Sequence, residues 1–395
     1  MRIEALSAHS FRNLRAVTLR PEAPCVVLVG DNGQGKTNIL EALYLCATGR
    51  SFRRAPAKEM VTIGASHGRC EALIQRQGVR HTVKVDLVPQ GPQGAMRQKL
   101  TIDGRHVRQT SQLLKLVNVV AFFPDDLRII KGSPEERRRF FDRATAGGEP
   151  AFVEATLSYH RALKARNVLL RGPHSPDRRL IGTYDQQLVQ HGTAMHSYRV
   201  AMLRALSGLT QTFFTQLMGQ HTLRLGLLSG VSACDALPQD ADAKQFEERF
   251  AATLAQHYPR DRARGMTLSG PHRSDLSCLI DDQPARSHAS QGQQRALVLA
   301  LKLAEMVELT HRLKTPPILL LDDVSSELDA RRTELLFGLL ATLGSQVFVS
   351  TTGHVPLPIQ TPAQIFGVEA GAIVERTGQS GDGWGGPGPG GPTEG

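Results

Sequence analysis

Apolar residues near the start of the chain follow two different periods. Alternating apolar residues predict strands at Ile3–His9 and, more weakly, at Ala16–Arg20. The continuous Val-rich run Cys25–Val29 is typical of a strand buried inside a sheet. Apolar positions along one side then predict a helix over Thr37–Ala47. A buried strand that passes directly into a helix indicates an α/β fold.

The middle of the chain changes from strand-like to helical patterning. Residues 60–104 predict further short strands, and the pattern is mainly helical from Ser133 to about Phe250. Ser133 is expected to cap that helical stretch, with Pro134 as the first helical residue and Glu136 as the partner in a capping box. We interpret the helical stretch as an inserted second lobe.

Strand-like patterning returns in the last third of the chain. A strand is predicted at Asp275–Ile280, and a helix from near Ser290 to about Arg312. The segments Ile318–Leu321 and Val347–Thr352 are predicted as two more buried strands. Thr377–Gly395 is nearly all Gly, Pro, Ser and acidic residues, so it is expected to be a disordered tail.

Composition and charge narrow the choice of partners. The chain has 395 residues, which suggests two domains or lobes, and its net charge of +10 favours an anionic partner, either nucleic acid or an acidic membrane face. The longest apolar stretch, near Leu116–Phe123, is far short of a membrane span, and no apolar export segment begins the chain. We therefore expect a cytoplasmic protein that does not enter a membrane. The spacing of the five cysteines predicts buried, reduced thiols.

A Gly-rich turn between the first buried strand and its helix matches the pattern G-x-x-x-x-G-K-[ST]. Its residues are Gly30, Asp31, Asn32, Gly33, Gln34, Gly35, Lys36 and Thr37. The glycines let backbone N–H groups surround phosphate oxygens, and the start of the helix directs its positive dipole end at the same anion. Lys36 supplies charge to the outer phosphates, and the Thr37 hydroxyl can ligate Mg²⁺. The turn is therefore predicted to bind ATP.

Two carboxylates, Asp322 and Asp323, follow the buried strand Ile318–Leu321. A buried strand end is a costly place for charge unless a cation or hydrogen bonds compensate it. Mg²⁺ beside the phosphates is such a cation, so Asp322 is predicted to hold the metal and Asp323 to orient or deprotonate the attacking water. The alternative is an ordinary Asp-rich turn, which the phosphate loop in the same chain disfavours.

A second candidate anion site begins the helix near residue 290. Ser290, Gln291, Gly292 and Gln293 offer a hydroxyl and free backbone N–H groups at a helix start. A second γ-phosphate site in one chain suggests that two copies sandwich the nucleotide, with this clamp motif acting in trans. An ordinary N-cap is the alternative. The segment Ser325–Asp329 favours the sandwich because it resembles the loop that crosses the dimer in ABC-type ATPases.

Several specific motifs together resemble the RecF family of DNA replication and repair proteins, relatives of the SMC and ABC-type ATPases. Besides the phosphate loop, the clamp motif and the acidic strand, they are Ser10–Leu14, Gly49–Arg53, Phe123–Leu127, Lys131–Pro134 running into Arg137 and Arg138, Leu163–Asn167 and Gly270–Arg273. The resemblance covers nearly everything from Met1 to about Thr352.

The resemblance implies an α/β fold, an ABC/SMC-type P-loop ATPase head with an inserted helical arm lobe. We expect head segments at 1–110 and 266–376, the arm at 111–265 and the tail at 377–395. The resemblance also implies ATP-dependent homodimerisation on single-stranded, gapped or junction DNA, and work with RecO and RecR in loading RecA during recombinational repair and replication-fork maintenance. Arg12 would contact the nucleotide, beside Asn13.

Departures from the family pattern bear on activity. Asp323 stands where transporter-type relatives carry Glu, so slow hydrolysis is expected. The resemblance implies that DNA stimulates it. His354 is a candidate for the usual switch histidine. Two other classes stay open. The ATPase subunit of a membrane transporter shares the three motifs, but its clamp normally reads Leu-Ser-Gly-Gly-Gln and its inserted lobe is short. A related ATP-gated nuclease would need a further acidic metal cluster, and none follows Asp329.

Basic residues suggest two DNA surfaces. Arg137, Arg138, Arg139 and Arg143 cluster on the helix after Ser133, and Arg53 and Arg54 follow the first helix. Phosphate contacts would give the first cluster a role in DNA binding. A solvated helix face, or ion pairs with Glu135 and Glu136, is the alternative for that cluster.

Overall fold

The computed structural model describes residues 1–91, 95–107, 111–172, 174, 177–235, 242–323, 329–353 and 357–375. The tail 377–395 therefore lies outside the described residues. The chain forms two compact units, one made of Met1–Asp125 with Leu309–Gly395 and the other of Asp126–Glu308. The clamp motif therefore falls in the mainly helical unit, whereas the sequence predicts it in the C-terminal segment of the ATPase head. The domain limits given from the sequence stay a prediction.

An antiparallel sheet forms one layer of the first unit, in the strand order β2-β1-β4-β5-β6-β7. The strands are β1 (Arg2–Phe11), β2 (Leu14–Leu19), β4 (Gly68–Arg76), β5 (Val79–Gln90), β6 (Ala95–Ile102) and β7 (Arg105–His106). Burial alternates along β4, as expected of a sheet with one face toward a core. The strands predicted in residues 1–20 and 60–104 are confirmed.

A second, mostly parallel sheet in this unit carries the candidate site, in the order β15-β14-β3-β13-β12-β8. Its strands are β3 (Cys25–Val29), β8 (Val119–Phe122), β12 (Ile318–Leu321), β13 (Val347–Thr351), β14 (Ala363–Glu369) and β15 (Ala372–Glu375). Every residue of β3, β12 and β13 is buried, as their apolar runs predict. Since Val349 pairs with Val27 on one side and Leu321 on the other, these three strands end at one edge.

Helix α1 (Lys36–Thr48) packs within the core that both sheets of this unit share. Its apolar side chains, such as Ile39 and Leu43, lie with Leu6 of β1 and Leu28 of β3. Shorter helices are α2 (Ala57–Met60) and α3 (Ser111–Leu116), and α11 (Ala330–Leu343) follows the acidic strand. Burial from two sides holds the start of α1 at the sheet edge.

The second unit is mainly helical, as predicted. Its helices are α4 (Arg128–Lys131), α5 (Pro134–Gly148), α6 (Pro150–Arg171), α7 (Arg178–Met218), α8 (Ala243–Arg264), α9 (Ala285–His288) and most of α10 (Gln291–Leu313). Side chains of α6, α7 and α8 share an apolar core that contains Phe152, Met195 and Phe250. The predicted capping box of Ser133 and Glu136 is present at the start of α5.

Several strands lie where the sequence pattern predicts none, among them β8, β9 (Leu223–Leu228), β11 (Gln283–Pro284), β14 and β15. β9 interrupts the helical stretch and pairs with β10 (Asp275–Ile280), which also pairs with β11. Strands β14 and β15 complete the parallel sheet beyond the predicted elements. Such strands gain their stability from distant partners, and local patterning reports these only weakly. Across the described ranges, no helix is both long and apolar enough to span a bilayer.

Candidate functional site

The phosphate loop joins the end of β3 to the start of α1. Two of its positions favour glycine, one because a side chain would clash and one because of its backbone conformation. A side chain at Gly30 would place its Cβ 2.3 Å from the carbonyl oxygen of Val368 on β14. Gly35 has φ 115°, a left-handed conformation that favours glycine. Lys36 Nζ donates to the carbonyl oxygens of Gly30 at 2.5 Å and Asp31 at 2.8 Å. These two bonds place the ammonium inside the loop that is predicted to hold phosphate, and burial lowers its pKa.

Two side-chain amides brace the phosphate loop. Asn13 Nδ2 donates to the carbonyl oxygen of Gly33 at 3.1 Å, and Asn13 Oδ1 accepts from Asn38 Nδ2 at 2.7 Å. Gln34 Oε1 accepts from the backbone N–H of Ala370 at 2.6 Å. The turn between β14 and β15 thus helps to shape the loop, and the sequence analysis predicts neither strand.

The acidic strand end meets the phosphate loop at Asp322. Its Oδ1 accepts from Thr37 Oγ1 at 2.8 Å and from Ser350 Oγ at 2.7 Å. Burial raises the pKa of the Asp322 carboxyl, and the bonds from Ser350 and Thr37 oppose that shift. A hydroxyl and a carboxylate so placed are the hard oxygen donors that suit Mg²⁺, so this pair fits a magnesium ion. The predicted proximity of the two motifs is present.

Asp323 follows in a backbone conformation that is uncommon for a residue with a side chain. Its φ is 52°, in the left-handed region. Its backbone N–H donates to Ser350 Oγ at 3.0 Å. Ser350 lies at the end of β13, outside every motif that the sequence analysis selects. A hydroxyl residue near the carboxyl end of a buried strand is the signal that could have identified it.

The buried carboxylate of Glu41 binds Arg12 and Arg53, two of the arginines for which the sequence predicts a functional role. Its side chain is fully buried in α1, and the Arg12 guanidinium grips it through bonds of 3.0 and 2.8 Å. Arg53 Nη1 lies 3.2 Å from Glu41 and 2.8 Å from Asn38 Oδ1, and Ser51 Oγ also donates to Glu41. The segments Ser10–Leu14 and Gly49–Arg53 thus both contact the helix that follows the phosphate loop. Glu41 is the single acidic residue in α1, and this is the signal by which sequence reasoning could have found it.

The clamp motif begins α10 as an N-cap. Ser290 Oγ accepts from the Gln293 backbone N–H at 3.2 Å, and Gln293 Oε1 accepts from the Ser290 N–H at 2.8 Å. This reciprocal pair is a capping box. In it the Ser290 hydroxyl acts as acceptor, so its own proton is able to donate to an anion. Ser290 and Gln291 are exposed, with Gly292 and Gln293 partly so.

Asp329 is also an N-cap. It begins α11, and its carboxylate accepts from the backbone N–H of Arg332 at 2.9 Å. The rest of the proposed crossing segment, residues 325–328, and the candidate switch residue His354 lie outside the described residues. The clamp role of Asp329 and the switch role of His354 stay predictions.

The arginine cluster on α5 divides into buried and exposed members. Arg137 is only 6% exposed, and its guanidinium donates to the Asp275 carboxylate at 2.7 and 2.8 Å. Arg138 donates to a backbone carbonyl at 2.6 Å, Arg143 lies 3.7 Å from Glu305, and exposed Arg139 pairs with Glu135. For Arg137 the geometry favours a structural role, although the partner is not one of the two glutamates that the sequence suggests.

No cluster of three or more His, Cys, Asp or Glu side chains suited to a metal ion occurs among the described residues.

The family model "RecF/RecN/SMC N terminal domain" matches residues 2–370. The DNA replication and repair protein RecF of Myxococcus xanthus is 40% identical over 357 residues, which cover 89% of this chain and 91% of that protein. The RecF protein of Symbiobacterium thermophilum is 37% identical, covering 95% of this chain and 98% of its own length.

Solved structures agree with these relatives. The structure of the recombination mediator protein RecF-ATP in the RecFOR pathway superimposes with a TM-score of 0.85 at 26% identity, covering 95% of this chain and 97% of that one. The Smc head domain of Pyrococcus furiosus, with a TM-score of 0.55 and 17% identity over 95% of this chain and 96% of that one, shares the fold. The predicted fold, an ABC/SMC-type P-loop ATPase head with an inserted helical lobe, is confirmed.

Proposed function

The chain belongs to the RecF family, and on that premise we propose that it is an ATP-dependent DNA-binding protein of recombinational repair and replication-fork maintenance. The observation that carries the proposal is the 2.8 Å bond between Thr37 of the phosphate loop and Asp322 of the acidic strand. Two motifs far apart in the sequence meet there as an ATPase site requires. The relatives are RecF proteins, and one structural match is a RecF-ATP structure.

ATP is assigned to the phosphate loop. Residues 30–37 hold its phosphates, with Lys36 turning from the loop carbonyls to the outer phosphates. Asn13 keeps the loop in shape. Arg12, held beside the loop by Glu41, completes the nucleotide side of the site. Thr37 and Asp322 would hold Mg²⁺, which neutralises developing charge on the phosphates when bound.

Hydrolysis is assigned to Asp323. Its carboxylate orients water for in-line attack on the γ-phosphorus and accepts the proton as the new P–O bond forms. The bond between that phosphorus and the β–γ bridging oxygen breaks, so ADP and phosphate leave. Aspartate is shorter than the glutamate of transporter-type relatives, and this favours slow turnover that DNA stimulates.

Dimerisation is assigned to the clamp motif. Exposed Ser290, at the dipole end of α10, would donate to the γ-phosphate held by the second copy, with Gln291, Gly292 and Gln293 around it. Asp329, at the start of α11, would belong to the crossing segment. ATP rather than ADP then joins the two copies, since the γ-phosphate is the shared group.

DNA is the proposed partner of the dimer, in single-stranded, gapped or junction form, and RecO and RecR are proposed to act with it in loading RecA. The net charge of +10 supports an anionic partner. Exposed Arg139 and Arg54 are the better candidates for phosphate contacts. Arg138 and Arg143, on the same helix as Arg139, are further candidates. We place this activity in the cytoplasm.

A gel-shift assay on gapped, duplex and single-stranded DNA tests the proposal. We expect ATP to tighten binding, ADP not to do so, and gapped DNA to be bound at least as well as duplex. Identical binding with ATP, with ADP and without nucleotide would contradict ATP-dependent DNA binding.

A further inference from the structure

Ser350 lies at the centre of the sheet edge that bears the site. Strand β13 runs between β3, which leads into the phosphate loop, and β12, which leads into the two aspartates. Ser350 pairs with Leu28 and follows Val349, the partner of Leu321. Ligands of parallel sheets bind outside the carboxyl ends of such strands. Ser350 is therefore built into the site by the strand order.

A single hydroxyl at this point holds both aspartates. Ser350 Oγ donates its proton to Asp322 Oδ1 at 2.7 Å and accepts the Asp323 backbone N–H at 3.0 Å. A serine hydroxyl has one proton to donate, so these two bonds fix its direction. Ser350 is 1% exposed, and its bond to a buried carboxylate is therefore shielded from competing water.

The second bond supports a strained peptide. Asp323 has φ 52°, which costs free energy for a residue with a Cβ unless its surroundings hold it there. The bond to Ser350 restrains the peptide between the two aspartates, and this peptide sets the direction in which the Asp323 side chain leaves the strand. One hydroxyl thus couples the placement of the metal-side carboxylate to that of the water-side carboxylate.

We propose that Ser350 is a positioning residue that aligns Asp322 toward Mg²⁺ and Asp323 toward the attacking water. The inference rests on the ATPase function proposed above. Ser350 does not touch the reacting atoms; it acts through the two aspartates. Removal of its hydroxyl should therefore impair metal use and turnover while leaving the contacts of the phosphate loop with ATP intact.

Ser350→Ala tests this, with Ser345→Ala as the matched control. Ser345 is also buried, and its hydroxyl has no hydrogen-bond partner within the described part of the chain. For Ser350→Ala we expect ATP turnover to fall roughly tenfold or more and the Mg²⁺ midpoint for ATP binding to rise roughly tenfold. ATP affinity without Mg²⁺, measured by calorimetry, should stay unchanged. Ser350→Thr, which keeps a hydroxyl, should recover part of the turnover, and Ser345→Ala should match the wild type.

Hydrogen exchange of the nucleotide-free protein provides a readout that needs no metal. The Asp323 amide should exchange faster in Ser350→Ala than in the wild type or Ser345→Ala, while amides far from the site keep their wild-type protection. Wild-type turnover, Mg²⁺ midpoint and Asp323 exchange in Ser350→Ala would overturn the inference while leaving the ATPase proposal standing. If the wild type neither binds nor hydrolyses ATP, both proposals fail together. A global loss of protection in Ser350→Ala, without recovery in Ser350→Thr, would mark Ser350 as structural and overturn the positioning role.

Discussion

Thr37 and Asp322 are separated by 285 positions in the chain, yet the Thr37 hydroxyl donates to the Asp322 carboxylate at 2.8 Å. Neither residue alone identifies an ATPase site, because a threonine after a lysine and an aspartate after an apolar strand are both common. Their contact brings a hydroxyl and a carboxylate to the mouth of a loop whose backbone is shaped for phosphate.

Lys36→Ala should abolish productive ATP binding without unfolding the protein. The ammonium donates to two loop carbonyls, and it contributes charge to phosphate rather than apolar packing. Titration calorimetry measures ATP affinity, and thermal unfolding measures stability. Lys58→Ala, which removes an exposed lysine from α2, serves as the control and should bind ATP normally. Normal ATP affinity in Lys36→Ala would disprove the phosphate-loop assignment.

Replacement of each of the two aspartates by asparagine should cause a different defect. Asp323→Asn should keep ATP and Mg²⁺ but lose turnover, because a neutral amide does not accept the proton of water. Asp322→Asn should weaken Mg²⁺ itself, since the carboxylate that Thr37 and Ser350 hold is replaced by an amide. Steady-state ATPase assays over a Mg²⁺ titration distinguish these effects. Wild-type turnover by Asp323→Asn would show that the role assigned to Asp323 is wrong.

Arg137 and Arg139 should respond differently to removal. Arg137→Ala leaves the Asp275 carboxylate without its ion-pair partner, so the free energy of unfolding should fall by about 3 kcal/mol. Arg139→Ala removes an exposed pair with Glu135 and should change stability little. If Arg139 contacts DNA phosphate, the salt slope of DNA binding should fall by about one unit. An unchanged slope would place the DNA surface elsewhere, with Arg54 the next candidate.

Stability should fall as the pH falls through the weakly acidic range. Burial lowers the pKa of His196, stacked on Phe246, and of His272, bonded to Tyr159, to about 4 each. Between pH 4 and about 6.5 the unfolded chain binds more protons than the folded one, so stability rises with pH there. Each histidine contributes a slope of up to roughly 1.4 kcal/mol per pH unit, and the full stability is present above that range.

Urea unfolding at several pH values measures this slope. His196→Gln removes one titrating group and should flatten the profile, whereas His106→Gln, at an exposed position, should leave it unchanged. A slope in His196→Gln equal to that of the wild type would show that His196 is not responsible.

The trans clamp makes the most specific prediction. Ser290→Arg should bind ATP, because the phosphate loop of its own chain is intact, but it should not dimerise, because a bulky cation replaces a small hydroxyl. A mixture of Lys36→Ala and Ser290→Arg chains forms mixed dimers in which one composite site carries both lesions and the other none. ATPase activity should therefore return on mixing, at matched total protein.

Light scattering completes that test. No recovery of activity on mixing, together with an ATP-induced dimer of Ser290→Arg alone, would exclude the trans arrangement. The role of Ser290 would then be limited to the capping box that it forms with Gln293.

Most of the elements around the site could be predicted because their signals are local. The runs that became β3 and β12 are apolar throughout, β13 begins with three apolar residues, and the glycines and Lys36 of the loop lie within a few positions of one another. The capping box at Ser133 depends on residues three positions apart. Strands β9 and β14 escaped prediction because β9 pairs with β10 and β14 with β3, and these strands lie far from them in the chain.

The sequence by itself determined the kinds of chemistry available: a loop for phosphate, carboxylates for a metal and water, and a polar helix start. Each is encoded by neighbours in the chain, so composition and spacing were sufficient. The tertiary structure alone decided which side chains meet. It paired Arg12 with Glu41 and Arg137 with Asp275, and it placed one Ser350 hydroxyl between two aspartates. The physical reason is that strand order and burial bring together groups that are far apart in the chain, and burial then requires every charge to find a partner.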